Sequence, residues 1–460
     1  MPGQPNIVVF FTDQQRWDCS GLHGNPLDLM PNFDRLAQAG THVANFFTCQ
    51  PVCGPARACI QTGQYATVNG SYRNGIPLTK SVKPLAEHFK DAGYRTGYIG
   101  KWHLAQTGHG AVNEEDRGGY RDWLAANVLE FTSHDYHTAL YNEDNAEVEL
   151  PGYRSDAMVD AGIRYINEHK EEPFFLFMSF IEPHHQNHVD DYPAPDGYRE
   201  RYANRWVPPD LAALGGSTQR HLGGYYGMVK RLDEGLGRIT DALKSLQLDE
   251  NTIVVFFSDH GCHFKTRNAE YKRSCHESSL RVPCMFHGGP FAGGGRRDEL
   301  VSLIDLPPTL LDVAGIDVPD SMHGQSLLSR VERTGADWPD HVYFETSEAE
   351  TGRGVRTERW KYHVRAPEDA AVVDGKSDVY EESFLYDLQA DPYELANLVG
   401  IESYGGIRSG LREKLMERLA FVGETPEIAP PPGTRGGQRM VADSEVASLG
   451  FSHNIPGRSR

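Results

Sequence analysis

The chain has 460 residues, 39% hydrophobic and 24% charged, an ordinary globular composition at a length that calls for one large domain with a smaller companion. A net charge of −19 argues against nucleic acid as the main partner, since such proteins carry a basic face to neutralise phosphates, and any anionic ligand must be held by a local cationic pocket. The seven cysteines, odd in number and without paired spacing, point away from a disulfide framework or structural zinc and fit a reducing compartment.

Taken in chain order, residues 7–11 read as a first buried strand, with Asp13-Gln14 directly after it. The residues before that strand show neither a basic n-region nor a cleavage-like site. The expected location is therefore cytoplasmic if the sequence is complete, and periplasmic or secreted if a leader was removed. A helix is expected over residues 32–39, followed by the run Cys53-Gly54-Pro55-Ala56-Arg57 with Thr62-Gly63. A helix over 83–92 leads into a strand over 94–99 and the block Gly100-Lys101-Trp102-His103. A helix over 155–168 and a strand over 174–181 precede Pro183-His184-His185-Gln186, and a helix over 225–246 and a strand over 253–257 precede Asp259-His260-Gly261. A strand over 282–286 and a helix over 306–313 complete this part. The strands are almost continuously hydrophobic, as in a sheet covered on both faces, so the pattern predicts an α/β sandwich around a mostly parallel sheet. Polar residues just past the strand ends then fall where open α/β sheets place ligands.

The texture changes near residue 335, giving an expected large domain over 1–335 and a small α+β unit over 336–423. In the latter, segments 341–345, 354–364 and 384–388 read as strands and 407–420 as a helix. Residues 424–460, rich in Pro and Gly, read as an extended tail. No apolar stretch approaches the length of a membrane span.

Asp13, Gln14, Asp259 and His260 offer two carboxylates, an amide oxygen and an imidazole on converging loops. Such oxygen-rich ligation suits a hard divalent cation, Ca²⁺ first with Mg²⁺ or Mn²⁺ behind it. Either pair taken alone also reads as turn and cap residues, and Cys53 alone as an ordinary buried thiol.

The C-x-P-x-R frame at Cys53 resembles the modification address of the type I sulfatases of the alkaline phosphatase superfamily. Other blocks resemble that family in the same order: Asp13-Gln14 with Arg16, Asp18, Gly21, Gly24 and Asn25; the G-K-x-H block at Lys101 and His103; and Lys272 ahead of Glu277, Arg281, Val282 and Pro283. Arg273 and Lys265 are alternative alignments for that last lysine. The segment at His184 resembles a P-H-x-P block with Gln186 in place of the second proline, which leaves His184, the favoured residue, and His185 both open. Arg353-Gly354-Val355-Arg356-Thr357, Trp360-Lys361-Tyr362 and Leu385-Tyr386-Asp387-Leu388 resemble the family's C-terminal architecture.

The resemblance implies an alkaline-phosphatase-like sandwich with a large mixed, mostly parallel sheet between helices, plus a small C-terminal antiparallel sheet with a helix. It implies that a maturation enzyme oxidises Cys53 to formylglycine, and that Cys53 joins Asp13, Gln14, Asp259 and His260 around one divalent cation. One hydroxyl of the aldehyde hydrate attacks sulfur and the other collapses to expel sulfate, so the nucleophile regenerates itself. In the implied roles Arg57 supports the nucleophile, Lys101 and Lys272 hold sulfate oxygens, His184 with Lys272 protonates the leaving alcohol, and His103 takes the proton that triggers collapse. The implied activity is release of inorganic sulfate from a sulfated carbohydrate. The alternative is hydrolysis of phosphonate monoesters or phosphodiesters at the same site, because an Asp-Gln first pair also occurs among phosphonate monoester hydrolases. The sequence leaves an oligomer open, and the loops 113–151 and 186–223 carry no readable motif.

Overall fold

The apolar run that opens the chain becomes the middle of the main sheet. The computed structural model describes residues 4–331 and 337–431. In it β1 (Asn6–Thr12), β2 (Thr41–Phe47), β3 (Arg95–Lys101), β4 (Asp122–Ala126), β5 (Thr138–Tyr141), β6 (Glu147–Leu150), β7 (Phe174–Ser179), β8 (Thr252–Ser258), β9 (Cys284–His287) and β10 (Gly295–Ser302) form one sheet. Their order is β10-β2-β9-β8-β1-β7-β3-β4-β5-β6.

Alternation along each strand explains why the strands are hydrophobic throughout. Ile7, Val9 and Phe11 of β1, with Ile253, Val255 and Phe257 of β8, enter one core, while Val8, Phe10, Val254 and Phe256 enter the other. The first core is covered by the helices Cys53–Thr62, Leu85–Asp91 and Leu306–Val313, through Ile60, Phe89 and Leu310 among others. The second is covered by Pro31–Ala39, Arg154–Glu168 and Thr218–Ser245, through Phe33, Met158 and Leu236. Among the described residues no helix is long and apolar enough to cross a membrane.

The helix expected over 225–246 begins earlier, at Thr218. Gly223, Gly224 and Gly227 lower the local helix propensity and obscure that start, but they serve packing: a Cβ on Gly224 would lie 2.3 Å from the Tyr192 carbonyl oxygen. The helix Cys53–Thr62 was not foreseen, because Gly54 and Pro55 read as breakers. Pro55 sits in its first turn, where an intrahelical N–H bond is not required.

The small sheet comprises β11 (His341–Thr346), β12 (Gly352–Thr357), β13 (Trp360–Arg365), β14 (Val379–Asp387) and β15 (Glu427–Ala429) in sequential order, with the helix Gly405–Phe421 packed on it through Leu411, Leu415 and Leu419. The segment 354–364, read as one strand, is a hairpin of β12 and β13. The start of the expected tail instead pairs in parallel with β14 as β15, which makes the sheet mixed at its edge. The expected boundary at 335 and the tail over 432–460 lie outside the described residues. Buried Lys361 joins the two parts of the molecule, pairing with Glu277 at 2.8 Å and Glu394 at 2.5 Å.

Strand register assembles the polar residues at one edge. β1, β3, β7 and β8 are parallel, with Thr12 opposite Ser258, Phe11 opposite Ser179 and Ser179 opposite Gly100. The next residues along, Asp13, Asp259 and Lys101, therefore emerge side by side. Gly100 permits this: its φ is +113°, and a Cβ there would lie 2.1 Å from the Ser179 carbonyl oxygen. Gly100→Ala should destabilise the fold by about 2 kcal/mol or more, combining left-handed strain with overpacking. Gly152→Ala, at φ +97° but in open space, should carry the strain alone, roughly 1 kcal/mol. Equal denaturation midpoints for the two variants would contradict this reading.

Candidate active site

Cys53 is the first residue of its helix, whose other end is closed by Gly63 at φ 68°. The Gly54 N–H in that first turn donates to Asn74 Oδ1 at 2.9 Å. One helical turn after Cys53, on the same face, Arg57 points back to the sheet edge. Its Nη1 donates to the Lys101 carbonyl oxygen at 2.8 Å and to Ser179 Oγ at 2.7 Å, and its Nη2 lies 3.0 Å from Asp13 Oδ2 and 3.5 Å from Asp259 Oδ2. The spacing of cysteine and arginine is thus the spacing of a helix face docked across strand ends.

Around Cys53 Sγ stand Lys272 Nζ at 2.7 Å, His260 Nε2 at 3.2 Å and Asp13 Oδ1 at 3.5 Å. The same ammonium donates to His184 Nε2 at 2.9 Å. The two adjacent histidines part company here. His184 donates from Nδ1 to the His185 carbonyl oxygen at 2.6 Å, leaving Nε2 to accept from Lys272. His185 turns away, 3.1 Å from Asp190 and stacked on Tyr271. Of the three basic alternatives, Lys272 reaches Cys53, whereas Arg273 pairs with Glu270 and Glu348, and Lys265 lies over the Tyr271 ring.

Lys101 Nζ sits 2.7 Å from Asp13 Oδ2 and 3.2 Å from Glu130 Oε2, with no exposed surface. Gln14, at φ 67°, donates its N–H to Asp259 Oδ1 at 3.0 Å, and its side-chain oxygen accepts from the His185 N–H at 3.3 Å. His103, at φ 63°, and Gln14 line the same cavity as Cys53 without a hydrogen bond to it among the described residues. That cavity is small, about 70 Å³. A cleft of about 1060 Å³ elsewhere on the surface is lined by Lys80, Glu87 and Arg117 among others and shares no residue with the Cys53 cavity.

Burial governs the protonation states, and the charges then select among them. Burial, and after it the Asp13 carboxylate, push Asp259 up to about 7. Asp13 stays well below the usual carboxylate range: burial opposes its ionisation, but Lys101, His184, Arg57 and Lys272 outweigh burial. Burial and Asp13 raise the Cys53 thiol, yet Lys101, Lys272 and His184 bring it down to about 7. Burial, more than the nearby cations, holds His184 and His260 down at about 4 and His103 at about 3.

The donor set fits a hard divalent cation. Ligand atoms of Asp13, Cys53, Asp259 and His260 lie within 4.8 Å of one another, all buried. Asp259 Oδ2 is buried with no hydrogen-bond donor among the described residues. His260 donates from Nδ1 to the Gly261 carbonyl oxygen at 3.0 Å, so its Nε2 lone pair faces the cluster. His185, Asp190 and His221 form a second convergent group. There the Asp190 carboxylate is already compensated by Arg220 at 2.8 Å and by the Tyr271 hydroxyl at 3.1 Å, and of the three only His185 lines the Cys53 cavity.

Glu130 and Ser179 were missed from sequence. Glu130 lies in a loop without a motif, and Ser179 looked like the polar end of a strand. Gln186, the departure from the P-H-x-P block, is fixed by Arg154 and donates to the Glu130 carbonyl oxygen at 2.9 Å, holding the Glu130 turn against Lys101.

The sulfatase family model matches residues 5–316, and a model described as N-sulphoglucosamine sulphohydrolase, C-terminal, matches residues 269–420. An ulvan-active sulfatase from Formosa agariphila is 30% identical, covering 92% of this chain and 82% of its own. A Clostridium perfringens arylsulfatase is 29% identical, covering 90% of this chain and 94% of its own. The solved structure of BT4656 with D-glucosamine-2-N,6-O-disulfate has a TM-score of 0.73 at 23% identity, covering 91% of this chain and 98% of that one, and so shares the fold. The chain therefore belongs to the sulfatase family of the alkaline phosphatase superfamily and is a sulfuric ester hydrolase.

Proposed function

We propose that the protein releases inorganic sulfate from a sulfated carbohydrate, with Cys53, oxidised to formylglycine by a maturation enzyme, as the nucleophilic position. The observation that carries this is the setting of Cys53 Sγ, at a helix start, 2.7 Å from Lys272 and 3.2 Å from His260. In the mature enzyme the formylglycine oxygens would take the place of Sγ, and the hydrate supplies one hydroxyl for attack and one for collapse. Carbohydrate as the substrate class is supported by the ulvan-active relative and by the saccharide in the BT4656 complex.

Asp13, Gln14, Asp259, His260 and position 53 would hold one divalent cation, Ca²⁺ ahead of Mg²⁺ or Mn²⁺. When bound, it supplies positive charge to the nucleophile and to sulfate oxygens. Arg57 fixes Asp13 and supports position 53. Lys101 and Lys272 hold the nonbridging oxygens. The His184–Lys272 pair gives the leaving oxygen its proton, and His103, neutral through burial, accepts the proton released on collapse. The main sheet and its helices form the catalytic unit, and β11–β15 with their helix form the companion. The buried free thiols fit a reducing compartment.

The test is a sulfate-release screen over sulfated saccharides, using protein co-produced with a maturation enzyme. Peptide mass analysis should find an aldehyde at position 53, and Cys53→Ala should lose turnover. Activity retained in Cys53→Ala would end this mechanism, and turnover confined to nitrophenyl phosphonates would replace the substrate class. A second expectation concerns the acid. His184→Ala should cost about 10²- to 10⁴-fold in kcat on a sugar sulfate, whose alkoxide needs a proton, but about tenfold or less on nitrophenyl sulfate. Equal losses on both substrates would remove His184 from that role.

A further inference from the structure

The Cys53 cavity is small, about 70 Å³ against about 1060 Å³ for the surface cleft, which suits a sulfo group inside it with the sugar ring at the mouth. Arg273, which lines the cavity, adopts left-handed backbone at φ 66°, and its side chain meets at 2.5 Å that of Glu348, a second left-handed non-glycine residue at φ 67°. Left-handed strain costs roughly 1–2 kcal/mol for each such residue. Two strained residues held against each other beside a pocket point to function.

The pair is also built into the catalytic frame. Arg273 directly follows Lys272, which contacts Cys53, and its other partner is Glu270 at 3.1 Å. Glu348 lies between β11 and β12, so the small sheet supplies a group that braces the rim residues Arg273 and Asn74. Its second oxygen accepts from the Asn74 N–H at 2.6 Å, and Asn74 in turn accepts from Gly54, next to Cys53. A guanidinium flanked by two carboxylates offers fixed donors and acceptors with a local excess of negative charge.

We propose that Arg273 and Glu348 form a clamp that reads the sugar hydroxyls neighbouring the sulfate ester, selecting pyranoses in which those positions are free hydroxyls over ones carrying a second sulfate. The inference rests on the carbohydrate reading above. Hydroxyls both donate to Glu348 and accept from Arg273, whereas a second sulfate only accepts and is repelled by Glu270 and Glu348.

The experiment compares kcat/KM for a panel of pyranose monosulfates, their vicinal disulfates and nitrophenyl sulfate, using the mature enzyme. Wild type should favour a monosulfate over its vicinal disulfate. Glu348→Gln and Arg273→Lys, which keep the shape of the rim, should each lower the ratio of saccharide to nitrophenyl sulfate turnover by about 50-fold or more, mainly through KM. The double variant should be little worse than either single one, because the two residues act as a unit. Failure of wild type on every saccharide while nitrophenyl sulfate is cleaved would overturn the carbohydrate reading and the clamp with it. Saccharide turnover with an unchanged ratio in both variants, or a wild-type preference for the disulfate, would overturn the clamp alone.

Discussion

Arg57 ties the helix that carries Cys53 to the carboxyl ends of three parallel strands, touching the carboxylate after β1, the last carbonyl oxygen of β3 and the last hydroxyl of β7. A guanidinium is costly to bury unpaired, and removing one partner of a buried pair typically destabilises by about 3–5 kcal/mol. The helix can therefore dock in one register only, with Cys53 over the gap between Asp13 and Asp259. The register of Thr12 against Ser258 sets the width of that gap, and Gly100 allows β3 to approach closely enough for Lys101 to close its far side.

Charge balance follows from this geometry. Arg57, Lys101 and Lys272 face Asp13, Asp259 and Glu130, so the protein's own fixed charges nearly cancel around Cys53. A chain with a net charge of −19 needs more than a neutral pocket to draw in a sulfate ester. A divalent cation among the Asp13, Asp259 and His260 ligand atoms would supply that excess and offset the burial and the Asp13 charge that lift Asp259 to about 7. The lysines would then be left to the substrate, with Lys272 set as a hub between Cys53, His184 and His260.

Much of this was legible in the sequence where local pattern and tertiary outcome agree. The central strands were visible because both of their faces are buried, and Asp13 and Asp259 because they directly follow such strands, as Lys101 was because it ends one. Edge strands such as β10, with Arg296, Arg297, Asp298 and Glu299 in it, show no such pattern. Glu130, Ser179 and the Arg273–Glu348 pair were hidden for another reason: their placement depends on contacts across long stretches of chain, which periodicity does not encode. Which of His184 and His185 faces Lys272 belongs to the same class, since it rests on the Lys272 contact of His184 and the turn of His185 toward Asp190.

A cation added to this almost balanced set of protein charges would turn the pocket into a sulfate site. Calorimetric titration of inorganic sulfate into the protein, with and without saturating Ca²⁺, tests it most directly. At contact range and an effective dielectric near 20, unit charges interact by about 4 kcal/mol, so sulfate affinity should rise at least about tenfold with the cation and lose that gain in Asp259→Asn. The same sulfate affinity in the presence and absence of the cation would contradict the account.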